Sequence, residues 1–324
     1  MTPRPLQVLP VHGLPEVRPG DDLAAVITAA VDLHEGDVVV VAQKVVSKAE
    51  GAVAHPLPGE DREAARRRLA REVAVRVVAD SPHVLIVQAA HGLVCANAGI
   101  DASNVPGDDL VLLPRDPDAS ARALRAALSP PVVGVIVADT FGRPWRMGQT
   151  DVAIGCAGVA PMRDERGGTD RDGRALSVTL VAVADELAAA ADLVRRKADG
   201  VPVVVLRGVD PSLLTADDGP GAAAIVRATA EDLFSRGRGM LARELAGVAG
   251  GGELAAVAAA VRAVAGTDVV VADGCLVQSG RDAAARALGA GAAWVLLAEL
   301  GFAGLGVSAD SSTCTVHWAT LDPR

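Results

Sequence analysis

Two polar residues, Asp139 and Thr140, follow an apolar run and begin a segment rich in groups that bind metals and anions. The run is PVVGVIVA (131–138), whose β-branched residues predict a buried strand. An aspartate fixed at the end of such a strand can be aimed at a hard cation such as Mg²⁺. Arg143 and Arg146 follow closely, and a guanidinium can bind an anion through two parallel hydrogen bonds. The alternative is a charged turn with internal Arg–Asp pairs.

A second polar group, Gln43, Lys44 and Lys48, lies at the end of another apolar run, DVVVVAQKVV (37–46). Lysines in a short loop after a strand can hold phosphate groups as point charges. The segment is not a P-loop, because the pattern GxxxxGK[ST] is absent. The alternative is that these lysines are solvated at the surface.

A third segment, NAGIDASNVPGDD (97–109), is rich in side-chain oxygens, including those of Asp101 and Asn104. Hard cations prefer such oxygen ligands. The alternative is a loop in which Asn and Asp side chains hydrogen-bond to their own backbone.

The composition argues against several classes of protein. The 324 residues include 31 Lys and Arg against 40 Asp and Glu, and the net charge of −9 argues against sequence-independent binding of nucleic acid. The four cysteines are far apart and form no CxxC or Cys/His cluster, so neither a zinc site nor a disulfide framework is predicted. The N-terminus lacks the apolar run of a signal peptide.

The apolar segment 287–309 contains five glycines and Glu299, which favours a buried helix and loop over a membrane span. We therefore expect a cytoplasmic protein that binds neither nucleic acid nor membranes.

Strands and helices are predicted to alternate, which indicates an α/β or mixed α+β fold. A glycine-rich linker, GVAGGGE, lies near 247–253, so we expect a main domain at 1–246 and a small C-terminal α/β module at 250–324. The predicted strands are 37–46, 84–88, 131–138, 176–183 and 201–208, and the predicted helices are 22–33, 60–79, 119–128, 184–198 and 222–237.

Five segments, in order, resemble the coenzyme F-420:L-glutamate ligase family, also called the F-420-0:γ-glutamyl ligases. They are PVHGLPEVRPGDDL, GDVVVVAQKVVSKAEG, CANAGIDASNVPGDD, VIVADTFGRPWRMGQTDVAIG and VPVVVLRG, and the resemblance covers roughly residues 6–245. Each segment alone is a weak signal, whereas the ordered set is specific.

The resemblance implies a GTP-dependent ligase of coenzyme F-420 biosynthesis that forms a C–N bond. GTP would phosphorylate the terminal carboxylate of the deazaflavin precursor F-420-0, and the amino group of L-glutamate would attack the acyl phosphate. The resemblance also implies two divalent cations (Mg²⁺ or Mn²⁺), assistance from K⁺, and a homodimer with an α/β fold specific to the family.

Site residues are implied by the same resemblance. Asp139 and Thr140 resemble catalytic metal-site residues, and Asp101 would share a cation with Asp139. The expected nucleotide contacts are Leu14, Pro15, Glu16, Val17, Gln43, Lys44, Lys48 and Asn104. Separately from the resemblance, we infer from their guanidinium groups that Arg143 and Arg146 bind the phosphodiester or a carboxylate of the precursor.

The chain departs from the family pattern at LVRRKADGVP (193–202). Family members often have an acidic, glycine-rich loop there that contributes a carboxylate to a second metal. Here Arg196 stands near the expected acid, and Asp199 is the only acid nearby. Two alternatives therefore stay open: a non-catalytic homologue that binds a nucleotide or deazaflavin, and an amide ligase with a different nucleotide or acceptor.

Overall fold

The structure is a computed structural model that forms two compact units, residues 1–226 and 227–324. The described residues of the first unit are 5–81, 83–102, 107–195 and 199–226. Those of the second unit are 227–228, 231, 257–258, 261–262, 268–272, 275–279, 290, 293, 297, 303–309 and 313–319. The predicted linker at 247–253 lies outside the described residues.

A five-stranded mixed sheet forms the centre of the first unit, with strand order β1-β12-β2-β8-β9. β2 and β8 are parallel, and the other neighbouring pairs are antiparallel. The strands are β1 (Gln7–Pro10), β2 (Val38–Ala42), β8 (Gly134–Arg143), β9 (Arg146–Ala157) and β12 (Val203–Arg207).

Helices cover both faces of this sheet, and the valines of β2 show how. Val39 and Val41 belong to the core that contains Ile27 of α1 (Leu23–Ala30) and Leu124 of α4 (Pro117–Leu128). Val38 and Val40 point to the opposite face, whose core includes the apolar residues of α5 (Val183–Asp192). Because side chains alternate along a strand, the continuous Val38–Val41 run suits a strand buried on both faces.

Smaller elements surround the central sheet. α2 (Gln43–Ala49) follows β2 directly, and α3 (Arg62–Glu72) packs its buried alanines against the sheet β4-β5-β6. The remaining strands of the first unit are β3 (Val53–Ala54), β4 (Ala74–Asp80), β5 (Leu85–Ala89), β6 (Val94–Ala96), β7 (Leu110–Val111), β10 (Arg163–Asp164) and β11 (Leu180–Val181).

The second unit contains a four-stranded antiparallel sheet of order β13-β14-β16-β15. Its strands are β13 (Asp268–Ala272), β14 (Cys275–Ser279), β15 (Ala303–Ala309) and β16 (Thr313–Ala319). Cys314 and Val316, two residues apart in β16, are both buried on one face of the strand. Among the described residues, no helix has the length and apolar character that crossing a bilayer requires.

The mixed α/β class is confirmed, but several element boundaries predicted from sequence are wrong. The predicted strand 37–46 ends at Ala42, and α2 begins at Gln43. Within this helix, Ser47 Oγ donates to Gln43 Oε1, four residues earlier, over 2.9 Å. The predicted helix 60–79 ends at Glu72, because the β-branched residues that follow form β4 and pair with β5.

Three further boundaries differ. β8 does not end at Ala138; it continues to Arg143 because its pairing with β9 continues. Only Leu180–Val181 of the predicted strand 176–183 is a strand, and the predicted helix at 222–237 begins as a short 3₁₀ turn at Ala222–Ile225. Within 222–237, residues 229–230 and 232–237 lie outside the described ranges.

Candidate functional site

The end of β2 lies beside the middle of β8, so Asp139 and Thr140 lie within β8 rather than at the strand end that the sequence predicts. β2 and β8 are parallel, and Ala42 lies opposite Ala138. The residues after these two alanines therefore start side by side, and Lys44 is close enough to Asp139 to lower its pKa. The edge of the sheet at which a strand such as β2 ends is where α/β folds commonly bind ligands.

Neighbouring segments bring the N-terminal loop to the same edge. The backbone of Ala42 donates to Pro202 O over 2.8 Å, and Val11 N donates to Val203 O over 3.0 Å. The loop Leu14–Val17, which follows β1, covers this edge and lines the cavity described below. The sheet register thus explains why distant motifs of the sequence converge.

A chain of polar contacts runs along the β8–β9 hairpin. Thr140 lies opposite Asp151, and Thr140 Oγ1 donates to Asp151 Oδ1 over 2.8 Å. The other carboxylate oxygen, Asp151 Oδ2, lies 2.9 Å from Arg195 Nη2, and both side chains of this ion pair are at most 8% exposed. Asp151 therefore links the strand to the segment after α5.

Asp101 reaches the same edge through Lys44. Asp101 exchanges two backbone hydrogen bonds with Val111, each 2.9 Å, which fixes its position. Its Oδ2 lies 2.7 Å from Lys44 Nζ. Lys48, one turn further along α2, forms an ion pair with Glu16 of the N-terminal loop.

Asp139 carries the largest electrostatic perturbation of this group. Burial raises its pKa to about 7, although the Thr140 backbone hydrogen bond lowers it. The neighbouring carboxylates of Asp101 and Asp151 raise the pKa further, and Lys44 opposes them. A cation among these carboxylates would lower the pKa of Asp139, because it stabilises the charged form.

Several of these residues line a cavity of about 500 Å³, a volume within the range of small-molecule sites. Its lining residues are Leu14, Pro15, Glu16, Val17, Lys44, Val45, Lys48, Thr140, Gln149, Asp151, Asp192, Arg195, Gly200, Val201 and Pro202. Three cationic side chains and three carboxylates are among them.

Seven of the sequence-predicted site residues line this cavity, namely Leu14, Pro15, Glu16, Val17, Lys44, Lys48 and Thr140. Asp101 and Asp139 adjoin them through the interactions just described. The alternative of solvated surface lysines is wrong for Lys48, whose side chain is only 9% exposed.

Other predicted residues lie elsewhere. Gln43 is buried in α2, where it accepts the Ser47 hydrogen bond, and it does not line the cavity. Arg143 and Arg146 lie opposite each other in the two strands, next to the turn of the β8–β9 hairpin. Arg143 Nη2 donates to Met147 O over 3.2 Å. Asn104 lies outside the described residues.

The segment after α5 contributes residues that the sequence reasoning did not select. Asp192 and Arg195 line the cavity, whereas Asp199 is exposed and does not; Arg196 lies outside the described residues. Asp151 was also missed. The signal that could have indicated Asp151 is its spacing: it lies two residues after Gln149, which also lines the cavity. Residues two apart in a strand lie on the same face, here of β9.

The oxygen atoms fit a hard cation, although no complete binding shell is assembled. Asp139, Asp101 and Thr140 offer carboxylate and hydroxyl oxygens, which Mg²⁺ and Mn²⁺ accept. Within the described ranges, no group of three or more His, Cys, Asp and Glu side chains is arranged to hold a metal. The 2.7 Å ion pair with Lys44 occupies one oxygen of Asp101.

Together, the fold and the site define a mixed α/β protein with a polar cavity, lined by cationic and acidic side chains, at one edge of its central sheet. Residues 13–208 match the family described as F420-0:Gamma-glutamyl ligase. The match spans more than half of the chain, so the protein belongs to this family.

Curated relatives agree with the family. The chain is 44% identical to the coenzyme F420:L-glutamate ligase of Methanopyrus kandleri over 245 residues, which cover 71% of this chain and 97% of the relative. It is 48% identical to the coenzyme F420:L-glutamate ligase of Natronomonas pharaonis over 221 residues, which cover 62% of this chain and 86% of the relative.

Proposed function

We propose that the protein is a GTP-dependent ligase that joins L-glutamate to the terminal carboxylate of F-420-0 in coenzyme F-420 biosynthesis. The family and the printed names of the relatives support glutamate and the F-420 precursor as substrates. GTP, the acyl phosphate, divalent cations with K⁺, a cytoplasmic location and a homodimer are further parts of this proposal.

One observation carries the proposal: Lys44, Lys48 and Thr140 line a single cavity, with Asp139 beside them. Phosphoryl transfer depends mainly on positioning and charge neutralisation, so it needs cations around the phosphates rather than a protein nucleophile. Lys44 and Lys48 each pair with a carboxylate, and these pairs fix both ammonium groups at the cavity wall.

In this proposal the chain's own residues bind, orient and shield the reactants. Lys44 and Lys48 bind phosphate oxygens, and the loop Leu14–Val17 limits access of water to the acyl phosphate. Asp139, Asp101 and Thr140 would hold the divalent cation, which neutralises negative charge on the phosphates when bound.

The proposed reaction has two balanced steps. An oxygen of the precursor carboxylate attacks the γ-phosphorus of GTP; the bond to the β-phosphate oxygen breaks, and GDP leaves. The amino nitrogen of L-glutamate then attacks the acyl carbon, the C–O bond to phosphate breaks, and the nitrogen loses a proton to solvent. The products are the amide, GDP and phosphate.

Mass spectrometry of reactions with purified full-length protein tests this proposal. We expect product larger than F-420-0 by one or more glutamate residues, only when GTP, L-glutamate and a divalent cation are all present. Hydroxylamine replacing L-glutamate is expected to trap the acyl phosphate as a hydroxamate. Product formed equally well without GTP would contradict the proposed mechanism.

The same assay distinguishes the open alternatives. A non-catalytic homologue would bind GTP or F-420-0 in calorimetry and form no product. A panel of nucleotides and acceptor acids identifies a related ligase with another preference, since only the preferred pair would give rapid product formation.

A further inference from the structure

Arg195 is a buried cation whose hydrogen-bonding capacity is incompletely used. Its side chain is 8% exposed and lines the cavity. Nη2 lies 2.9 Å from Asp151 Oδ2, yet neither Nη2 nor Nε makes an aligned hydrogen bond within the described part of the chain. Buried polar atoms in native proteins are nearly always hydrogen-bonded, so these two atoms call for a ligand.

The surroundings of Arg195 keep it charged and hold it in place. Burial lowers its pKa, and the carboxylates of Asp151 and Asp192 oppose that effect. An arginine nevertheless stays protonated in proteins. Because Asp151 is itself fixed by Thr140, the guanidinium is connected to the strand that bears Asp139.

We infer that Arg195 binds phosphate oxygens of the nucleotide directly, supplying from the protein positive charge that a second divalent cation was expected to provide. The two atoms without aligned hydrogen bonds, Nε and Nη2, form one edge of the guanidinium and match two oxygens of a phosphate. This inference rests on the proposed function and assigns a new residue to it.

Asp199, the acid that the sequence offers for the second-metal carboxylate, is exposed and does not line the cavity. Asp192 of the same segment does line it, and its carboxylate acts on Arg195. A fixed guanidinium and a carboxylate-bound cation both neutralise phosphate charge, and the segment after α5 presents the guanidinium. Lys44 and Lys48 line the same cavity and are two further cationic side chains available to a phosphate bound by Arg195.

The test compares two arginine-to-methionine variants of the full-length protein. Arg195→Met removes the proposed phosphate contact. Arg207→Met is the matched control, because Arg207 pairs with buried Asp37 through contacts of 2.9 and 2.7 Å. Arg207 lies at the far end of β12 from Pro202, which lines the cavity. Both variants leave a buried aspartate without its arginine.

Calorimetry with GTP, GDP and guanosine, with and without Mg²⁺, provides the readout. We expect Arg195→Met to weaken GTP binding about 10- to 100-fold, the effect of losing a charged hydrogen bond, while guanosine binding stays unchanged. Arg207→Met should bind all three ligands as the wild type does. Equal GTP affinity in Arg195→Met and wild type would overturn the inference, and would leave the proposed ligase function intact.

Two further outcomes are decisive. A change in L-glutamate affinity alone would mean that Arg195 binds a carboxylate, and would overturn the phosphate assignment. Wild-type protein that turns over with no bound guanine nucleotide would overturn the GTP part of the proposed function instead. If Arg195→Met does not fold, the same GTP calorimetry is applied to two other variants. The double variant Arg195→Met/Asp151→Asn removes both charges and keeps an oxygen that accepts from Thr140. Arg195→Lys keeps the positive charge but lacks the planar guanidinium.

Discussion

Thr140 Oγ1 donates a 2.8 Å hydrogen bond to Asp151 Oδ1 across the β8–β9 pair. The hydroxyl hydrogen is therefore committed, while the oxygen lone pairs of Thr140 are still able to accept or to coordinate a cation. One residue thus joins the predicted metal site to the ion pair of Asp151 and Arg195.

Replacing Thr140 separates its two roles. Thr140→Ser keeps the hydroxyl, so we expect activity within a fewfold of wild type. Thr140→Val removes the oxygen, and we expect activity to fall about tenfold or more, with a loss of about 1 kcal/mol in the free energy of unfolding. Turnover across a Mg²⁺ series and a melting curve measure the two effects. A Val variant with lower Tm and normal turnover would restrict Thr140 to a structural role.

Asp139→Asn tests the metal assignment. The amide keeps the shape of the side chain and removes a negative charge that a cation requires. We expect normal folding, a loss of about a hundredfold in turnover, which corresponds to about 3 kcal/mol, and partial recovery at high Mn²⁺. The measurement is steady-state kinetics across a Mn²⁺ series.

The control for Asp139→Asn is Asp185→Asn. Asp185 is another carboxyl whose pKa burial raises, but, unlike Asp139, it has among the described residues no neighbouring carboxylate that contributes to the rise. Near-normal turnover of Asp139→Asn at low Mg²⁺, equal to that of the control, would exclude Asp139 as a metal ligand.

Much of the site could be predicted from sequence because short motifs fix residue type and order. Lys44, Lys48 and Thr140 were selected as candidate site residues and line the cavity together. Register was not predictable in the same way. Asp151 joins the site only because it lies opposite Thr140 in β9, and a shift of one residue would turn it to the other face.

Arg195 shows a second limit of sequence reasoning. Two consecutive arginines after a helix look like a solvated C-terminal turn, and nothing in their spacing indicates that the first is buried. The fold decides this, since Arg195 reaches back to Asp151 and lines the cavity. The predicted end of the strand 37–46 is wrong for a related reason. Valine occurs in both β2 and α2, so the sequence pattern does not distinguish them, and tertiary packing determines where the helix begins.

We expect the first unit to fold and function without most of the second. A protein ending at residue 231 retains Ala222 and Ala223, whose backbone N–H groups donate to buried Asp118 over 2.7 and 3.0 Å. We expect its Tm to equal that of the first unit within the full-length protein, and its ligase activity to equal that of the full-length protein. The measurements are calorimetry and the mass-spectrometric assay.

A protein ending at residue 219 is the matched comparison. It leaves Asp118 with its hydrogen bond from Cys156 N but without those from residues 222 and 223, and we expect a loss of about 2 kcal/mol or more in the free energy of unfolding. An inactive or insoluble 1–231 protein, beside active full-length protein, would show that residues 232–324 contribute to folding or catalysis.

Asp185 provides a prediction about pH. Burial raises its pKa above the ordinary aspartate value, and the 2.9 Å hydrogen bond from Ala153 N opposes this only in part. Between about pH 4 and the raised pKa, the folded state holds more protons than the unfolded state, so the contribution of Asp185 to the free energy of unfolding falls as pH rises. Asp185→Asn stays uncharged and keeps an oxygen for Ala153 N. We therefore expect its Tm to exceed that of wild type at pH 7 and to approach the wild-type value near pH 4.

One effect opposes this expectation, and a neighbouring residue controls for it. Asp185 and Glu186 both lie in the first turn of α5, where the helix dipole favours negative charge. Glu186 is exposed, so Glu186→Gln removes the dipole interaction without relieving a buried charge. We expect Glu186→Gln to lower Tm slightly at pH 7, in contrast to Asp185→Asn. If both variants lower Tm at pH 7 by similar amounts, the dipole outweighs burial at Asp185 and the predicted pH dependence is wrong.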